Sequence, residues 1–149
     1  MPARDRYHNC VRNALIKDGW AITHDPLRMS WGGRDLYVDL GAEELVAAEK
    51  AGQSIAVEIK GFLGLSEMDD LEKALGQFAL YRSVLAMTHP GWTLFLAVPE
   101  DTVCDVFDQP IGRLVIEDHS VKVFGFDPAN EVITRWMPQS VIETPSNPY

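Results

Sequence analysis

Only two cysteines occur in the 149 residues, Cys10 and Cys104, far apart and outside any CxxC pair. No run of eighteen apolar residues is present, so no membrane span is expected. The first residues, MPARDRYHN, carry no apolar core of the kind a secretory signal needs. A cytoplasmic location with reduced thiols is therefore the expectation. Basic residues are scarce, 13 Lys and Arg against 22 Asp and Glu, for a formal charge of −9 and an isoelectric point near 4.8. Tight non-specific binding of nucleic acid needs cations to neutralise phosphates, so this charge counts against it. A local basic patch or a basic partner would still allow contact with DNA, and acidic charge also keeps a protein in solution. Gly32-Gly33 is followed by neither a P-loop lysine nor a GxGxxG, which favours a tight turn over a phosphate cradle. No repeat, linker or low-complexity block divides the chain. One domain over residues 1–136 is expected, with an irregular tail over 137–149 that carries Pro138, Pro145 and Pro148.

What is present centres on the stretch from Ile55 to Lys60. Ile55, Val57 and Ile59 alternate with Ala56, Glu58 and Lys60, the period of a β-strand. Glu58 and Lys60 are two apart and share a face, opposite three β-branched residues. By itself this is either an ion pair at a strand end or half of a site. In the second case the carboxylate holds a divalent ion and the lysine orients or deprotonates a water attacking a phosphate.

Residues 3–18 read as a helix with Tyr7, Val11, Ala14 and Leu15 at helical spacing and Gly19 at its end. His8 borders that stripe and reads as a packed or capped side chain. Residues 20–23 read as a short strand, and 27–31 as another that pairs back on it. Asp35–Leu40 alternates Leu36, Val38 and Leu40 with Asp35, Tyr37 and Asp39 and reads as a strand. Pairing it with residues 55–60 would set Asp39 near Glu58. Residues 42–50 favour helix on their Ala and Glu content, with an extension of the sheet as the alternative. Ser66 suits an N-cap ahead of Glu67, Asp69, Asp70 and Glu72, whose charges suit the helix dipole. That helix runs to about Ala86, with Leu71, Leu75, Phe78 and Leu85 as core positions and Gln77 and Tyr81 on an adjoining face. Strands follow over 92–98, 121–126 and 131–136, with a short helix over 101–107 and a helix or loop over 112–118. The order suits a three-layer α/β/α-type sandwich with a mixed central sheet.

Asp39, Glu58-Ile59-Lys60 and Gln77-x-x-x-Tyr81 in this order resemble the restriction-endonuclease-like, or PD-(D/E)xK, nucleases, a fold shared with archaeal tRNA-splicing endonucleases. The segments DRYHNCVRNALIKDGWAITHDPL, DLYVDLGAEELVAAEKAGQSIAVEIKGFLG, ALGQFALYR and TLFLAVP resemble the family of XisH, the fdxN element excision controlling factor. That resemblance covers nearly the whole chain. It implies a role in excising a DNA element by site-specific recombination, beside a recombinase and a companion called XisI. The resemblance to the nuclease fold, in turn, implies Asp39 and Glu58 as metal-binding carboxylates, the carbonyl of Ile59 as a third ligand, and Mg²⁺ as the ion. Lys60 would position the attacking water, and Gln77 and Tyr81 would support the site or touch the substrate backbone. Val38 stands where the motif name has proline, and Asp35 is a rival for Asp39. Asp5 and His8 are the nearest counterparts of the first-helix glutamate of some such nucleases. Two readings stay open: a metal-dependent DNA endonuclease, and a non-catalytic factor that regulates a recombinase through contacts with XisI. A homodimer is a further expectation.

Overall fold

The strand expected around Glu58 is present as the second arm of a tight hairpin. The computed structural model describes residues 3–39 and 45–138, with side chains from Tyr7 onward apart from those of residues 38 and 39. In chain order the elements are α1 (Ala3–Lys17), β1 (Ala21–His24), β2 (Ser30–Trp31), β3 (Arg34–Asp35), a helical turn α2 (Leu36–Asp39), β4 (Leu45–Lys50) and β5 (Gln53–Ile59). Then come α3 (Glu67–Thr88), β6 (Thr93–Pro99), α4 (Glu100–Thr102) running into a π-helical turn (Val103–Phe107), α5 (Pro110–His119), β7 (Val123–Asp127) and β8 (Val132–Met137).

Six strands form one mixed sheet in the order β1-β4-β5-β6-β7-β8, and β2-β3 form a separate two-stranded ribbon. β4 and β5 are antiparallel, joined through Ala51 and Gly52 at φ +53° and +81°. Two successive positive φ values match the turn to the right-handed twist of the hairpin. β5, β6 and β7 are parallel, and β1 and β8 close the edges antiparallel. The parallel neighbours need a crossover. α3 supplies it between β5 and β6; the α4–α5 region supplies it between β6 and β7.

Each face of the sheet is buried. On one, Tyr7, Val11 and Leu15 of α1 cover Val46, Val57, Ile59, Phe95, Phe124 and Phe126. Trp136 seals this layer, with ring centroids 5.1 Å from Phe95 and 4.8 Å from Phe124. On the other, Leu71, Phe78 and Leu85 of α3 pack with Ala47, Ala56, Leu96 and Val98, joined by Phe107 and by Val115 and Ile116 of α5. Each fully buried side chain of this size contributes about 1.5–3 kcal/mol. Ser66 Oγ accepts the Asp69 N–H at 3.2 Å, the cap its position called for.

Two expectations are overturned. Residues 35–39 do not form the expected strand beside β5, and Leu40 lies outside the described residues. Asp35 ends the short β3, and its Oδ1 accepts the Tyr37 N–H at 3.0 Å, which turns the chain into α2. An aspartate that bonds the backbone two residues on competes with extended structure. The partner of β5 is instead β4, in a stretch that favoured helix. Leu45 and Ala47 face α3 while Val46 and Ala48 face α1, all four buried. A strand covered on both faces shows no alternation, and small side chains fit between two helical layers. Burial outweighed the modest helix propensity of alanine. Smaller differences follow the same logic: Ser30–Trp31 pairs with Arg34–Asp35 rather than with β1, and residues 110–119 are helical. The expected tail over 137–149 falls, from residue 139 on, outside the described residues.

Candidate functional site

β5 sends Ala56, Glu58 and then Lys60 to the α3 side and Val57 and Ile59 to the α1 side, as its alternation requires. Glu58 is 2% exposed, set in a row of apolar neighbours: Leu45 opposite it on β4 and Leu96 on β6. Its Oε2 lies 3.5 Å from Lys60 Nζ. The Lys60 N–H donates to the Ala97 carbonyl at 2.9 Å, so the lysine backbone is still tied to the sheet. Its ammonium also donates to the side-chain carbonyl oxygen of Gln77, in the third turn of α3. The helix behind the strand thus fixes the lysine that the strand presents.

A carboxylate in apolar surroundings is costly to ionise without a cation at hand. Lys60 supplies that cation and keeps part of its own side chain, 29%, in contact with solvent. Glu58 of β5, Lys60 at its end and Gln77 of α3 are thus linked from the sheet to the helix.

The other sequence-derived residues are placed less tightly. Tyr81, one turn beyond Gln77, is 2% exposed and lies in the core layer with Leu27, Met29 and Leu36. Asp39 is the last residue of α2, six positions before β4, and its side chain lies outside those described. The strand pairing expected to set it beside Glu58 is not made, since Leu45 occupies that register. Asp35 is committed elsewhere: Arg28 reaches its Oδ2 at 3.1 Å, and its other oxygen holds Tyr37 N–H. His8 belongs to a cluster legible only in part. Its Nε2 is 2.7 Å from Asp25 Oδ1, and Arg12 reaches Asp25 Oδ2 at 2.5 Å. Burial pushes the Asp25 carboxyl up, but the hydrogen bonds and charges of His8 and Arg12 outweigh it and hold the group below its ordinary value. The i, i+4 spacing of His8 and Arg12 was the available signal; Asp25 as their shared partner was not.

Mg²⁺ is held by oxygen donors, commonly one or two carboxylates with waters and phosphate oxygens completing the shell. Glu58 is such a donor, at a strand end next to the carbonyl of Ile59. Among the described residues no group of three or more His, Cys, Asp and Glu side chains converges on one point. An ion at this strand end would therefore take few of the described side chains as ligands. Among the described residues, no helix is long and apolar enough to cross a membrane.

The sequence model of the XisH protein family matches residues 1–134. The chain belongs to the XisH family. A solved fdxN element excision controlling factor protein from Anabaena variabilis is 42% identical, over 89% of this chain and 98% of that one, with a TM-score of 0.81. A solved XisH family protein from Nostoc punctiforme is 41% identical over the same shares, also with a TM-score of 0.81. No curated protein matches. XisH relatives thus share the mixed sheet and its layers at an identity high enough to carry the family.

Proposed function

We propose that this XisH family protein takes part in excising a DNA element, and that it does so as a Mg²⁺-dependent DNA endonuclease of the restriction-endonuclease-like fold. The observation that carries this is the buried Glu58 beside Lys60, with Lys60 held in turn by Gln77 of the helix behind. A strand-end E-x-K backed by a helical glutamine resembles the motif of the restriction-endonuclease-like nucleases, in which a carboxylate holds the metal ion and the lysine positions the attacking water. The fold reading is supported by the antiparallel β4–β5 hairpin, the crossover through α3 and the parallel β6.

In this reading Glu58, the carbonyl of Ile59 and Asp39 would hold the ion. When bound, Mg²⁺ would neutralise charge on the scissile phosphate and lower the pKa of an attacking water. Lys60 orients that water and supplies positive charge next to the phosphate. Gln77 keeps Lys60 aimed, and Tyr81 packs the helix that carries Gln77. A cytoplasmic site of action belongs to the same proposal. Purified protein with Mg²⁺ or Mn²⁺ should nick supercoiled or branched DNA, and Lys60→Ala should abolish the nicking. A full set of DNA forms left intact, with the companion protein present, would sink the catalytic reading.

A second reading is favoured by the charge of −9, which opposes general binding to DNA. In it the protein is a non-catalytic factor that acts on a site-specific recombinase through contacts with XisI. Capture of XisI or the recombinase unaffected by Lys60→Ala, with no nicking, would support it; failure to bind either would remove it.

A further inference from the structure

α3 presents to solvent a face that carries no charge. Between Ala74 and Thr88 the sequence holds one formal charge, Arg82, in a chain where charged residues make up 23%. The Arg82 guanidinium is engaged on the flank of the helix, donating to the carbonyls of His119 at 2.6 Å and Ser120 at 3.3 Å. Helical spacing sets Gly76, Ala79, Leu80, Ser83, Ala86 and Met87 on one face. All six are exposed, Leu80 at 51% and Met87 at 60%. The face runs for about 17 Å along the helix. The opposite side of α3, with Leu71, Phe78 and Leu85, is already buried against the sheet. The fold therefore leaves this second uncharged stripe uncovered.

The pattern of this face matches itself about Ser83. Leu80 lies three residues before Ser83 and Ala86 three after it; Ala79 lies four before and Met87 four after. Two copies of α3 laid antiparallel about a two-fold axis at Ser83 would meet in layers of one large and one small side chain, Leu80 with Ala86 and Met87 with Ala79. The small members let the helix axes approach to the about 8–10 Å of close packing. A parallel pairing would set large against large and small against small. It would also bring Asp69 and Glu72 of the two copies together, since these exposed acids continue the same face toward the N-terminus. The antiparallel pairing sends them to opposite ends.

We propose that this face joins two copies of the chain as an antiparallel α3–α3 dimer. Charge selects a second copy as the occupant. At a net charge of −9 two copies repel, and a face without charge is where they approach at least cost. Its six residues offer no cation to a phosphate or an acidic peptide and no carboxylate to a basic one. A single helix pair gives an interface at the small end of the specific ones, so the dimer should be reversible and form in the micromolar range. This dimer needs nothing from the Lys60 site and stands apart from the nuclease reading.

Sedimentation velocity on the full chain, from micromolar to near-millimolar concentration, tests the dimer. Wild type should pass from monomer to dimer, and added salt should strengthen the dimer by screening the repulsion between copies. Leu80→Glu and Ala86→Glu should each weaken it at least about a hundredfold, since the two-fold axis places each change twice in one interface. Thermal melts separate this from misfolding: both positions are exposed, and glutamate is a good helix former. Orientation is read by oxidative cross-linking in a Cys104→Ser background, which removes the exposed thiol and leaves Cys10, which is buried. Ser83→Cys lies on the axis and should form a disulfide with its own copy, whose Cα falls within the usual reach of about 4.4–6.8 Å. Met87→Cys should not, because its copy lies about 12 Å further along the helix. A wild type that stays monomeric, a dimer untouched by both glutamate variants, a dimer dissociated by salt, or cross-linking through Met87→Cys in place of Ser83→Cys would each overturn the proposal. A monomeric wild type whose capture of another protein is lost in Leu80→Glu would assign the face to that partner and overturn it too.

Discussion

Lys60 donates from its ammonium to the side-chain oxygen of Gln77, seventeen residues further along the chain. The bond joins the end of β5 to the third turn of α3, and the same ammonium stands 3.5 Å from Glu58. Its position is therefore set by two elements that are distant in sequence.

Lys60 and Gln77 should differ in how much activity depends on them. Lys60→Ala is expected to remove Mg²⁺-dependent nicking. Gln77→Ala should leave Lys60 charged but less well aimed, and lower the rate about ten- to a hundredfold. Gln77→Glu, which keeps an acceptor, should lose less than Gln77→Ala. Single-turnover rates on a nicked-circle assay decide it; equal rates for wild type and Gln77→Ala would remove the positioning role.

Asp35 and Asp39 should separate in the same assay. Asp35 holds the entrance of α2 and the Arg28 pair, so Asp35→Ala should cost about 0.5–2 kcal/mol of stability and keep nicking at temperatures where the protein is folded. Asp39→Ala should abolish nicking. Urea unfolding paired with cleavage rates checks both.

Asp25 makes stability depend on acid. Its carboxyl is held below the ordinary value by His8 and Arg12 against the opposing effect of burial. A depressed carboxyl gives stability that is present above the unfolded-state value, near pH 4, and is lost as pH falls through the lower folded value. Asp25→Asn should therefore be less stable than wild type at neutral pH, by about 1–2 kcal/mol. The gap should close from about pH 4 downward. Urea titrations at a series of pH values measure it, and a constant gap across that range would contradict the assignment.

Two glycine-to-alanine changes in helices should have opposite signs. Gly76, in the interior of α3, has nothing within 4 Å of an added Cβ. Gly76→Ala should stabilise by about 0.5–1 kcal/mol, the helix propensity difference. At Gly112, in α5, the Cβ would sit 2.2 Å from the Val106 carbonyl oxygen and 2.4 Å from the Phe107 Cα. That is backbone, which cannot yield, so the overpacking cost of about 1–3 kcal/mol should exceed the same propensity gain. Thermal melts of the two variants show it directly.

Much of this molecule is determined by the order of its residues. The alternation of Ile55–Lys60 placed Glu58 and Lys60 on one face, and Ser66 with its acidic followers placed the start of α3. The Gly32-Gly33 and Ala51-Gly52 turns were set by glycine. These are local effects, in which a side chain's period or a residue's backbone freedom acts within a few positions. Tertiary structure decided the rest. Leu45–Lys50 became a strand because two helical layers bury both its faces, which no alternation in the sequence could announce. Residues 36–39 turned helical because Asp35 caps them, which took Asp39 off the strand expected to carry it. Whether Gln77 would reach Lys60, and whether Asp25 would gather His8 and Arg12, depended on the crossing of elements far apart in sequence. Contacts of that kind are set by packing against the sheet, and the sequence alone holds only their candidates.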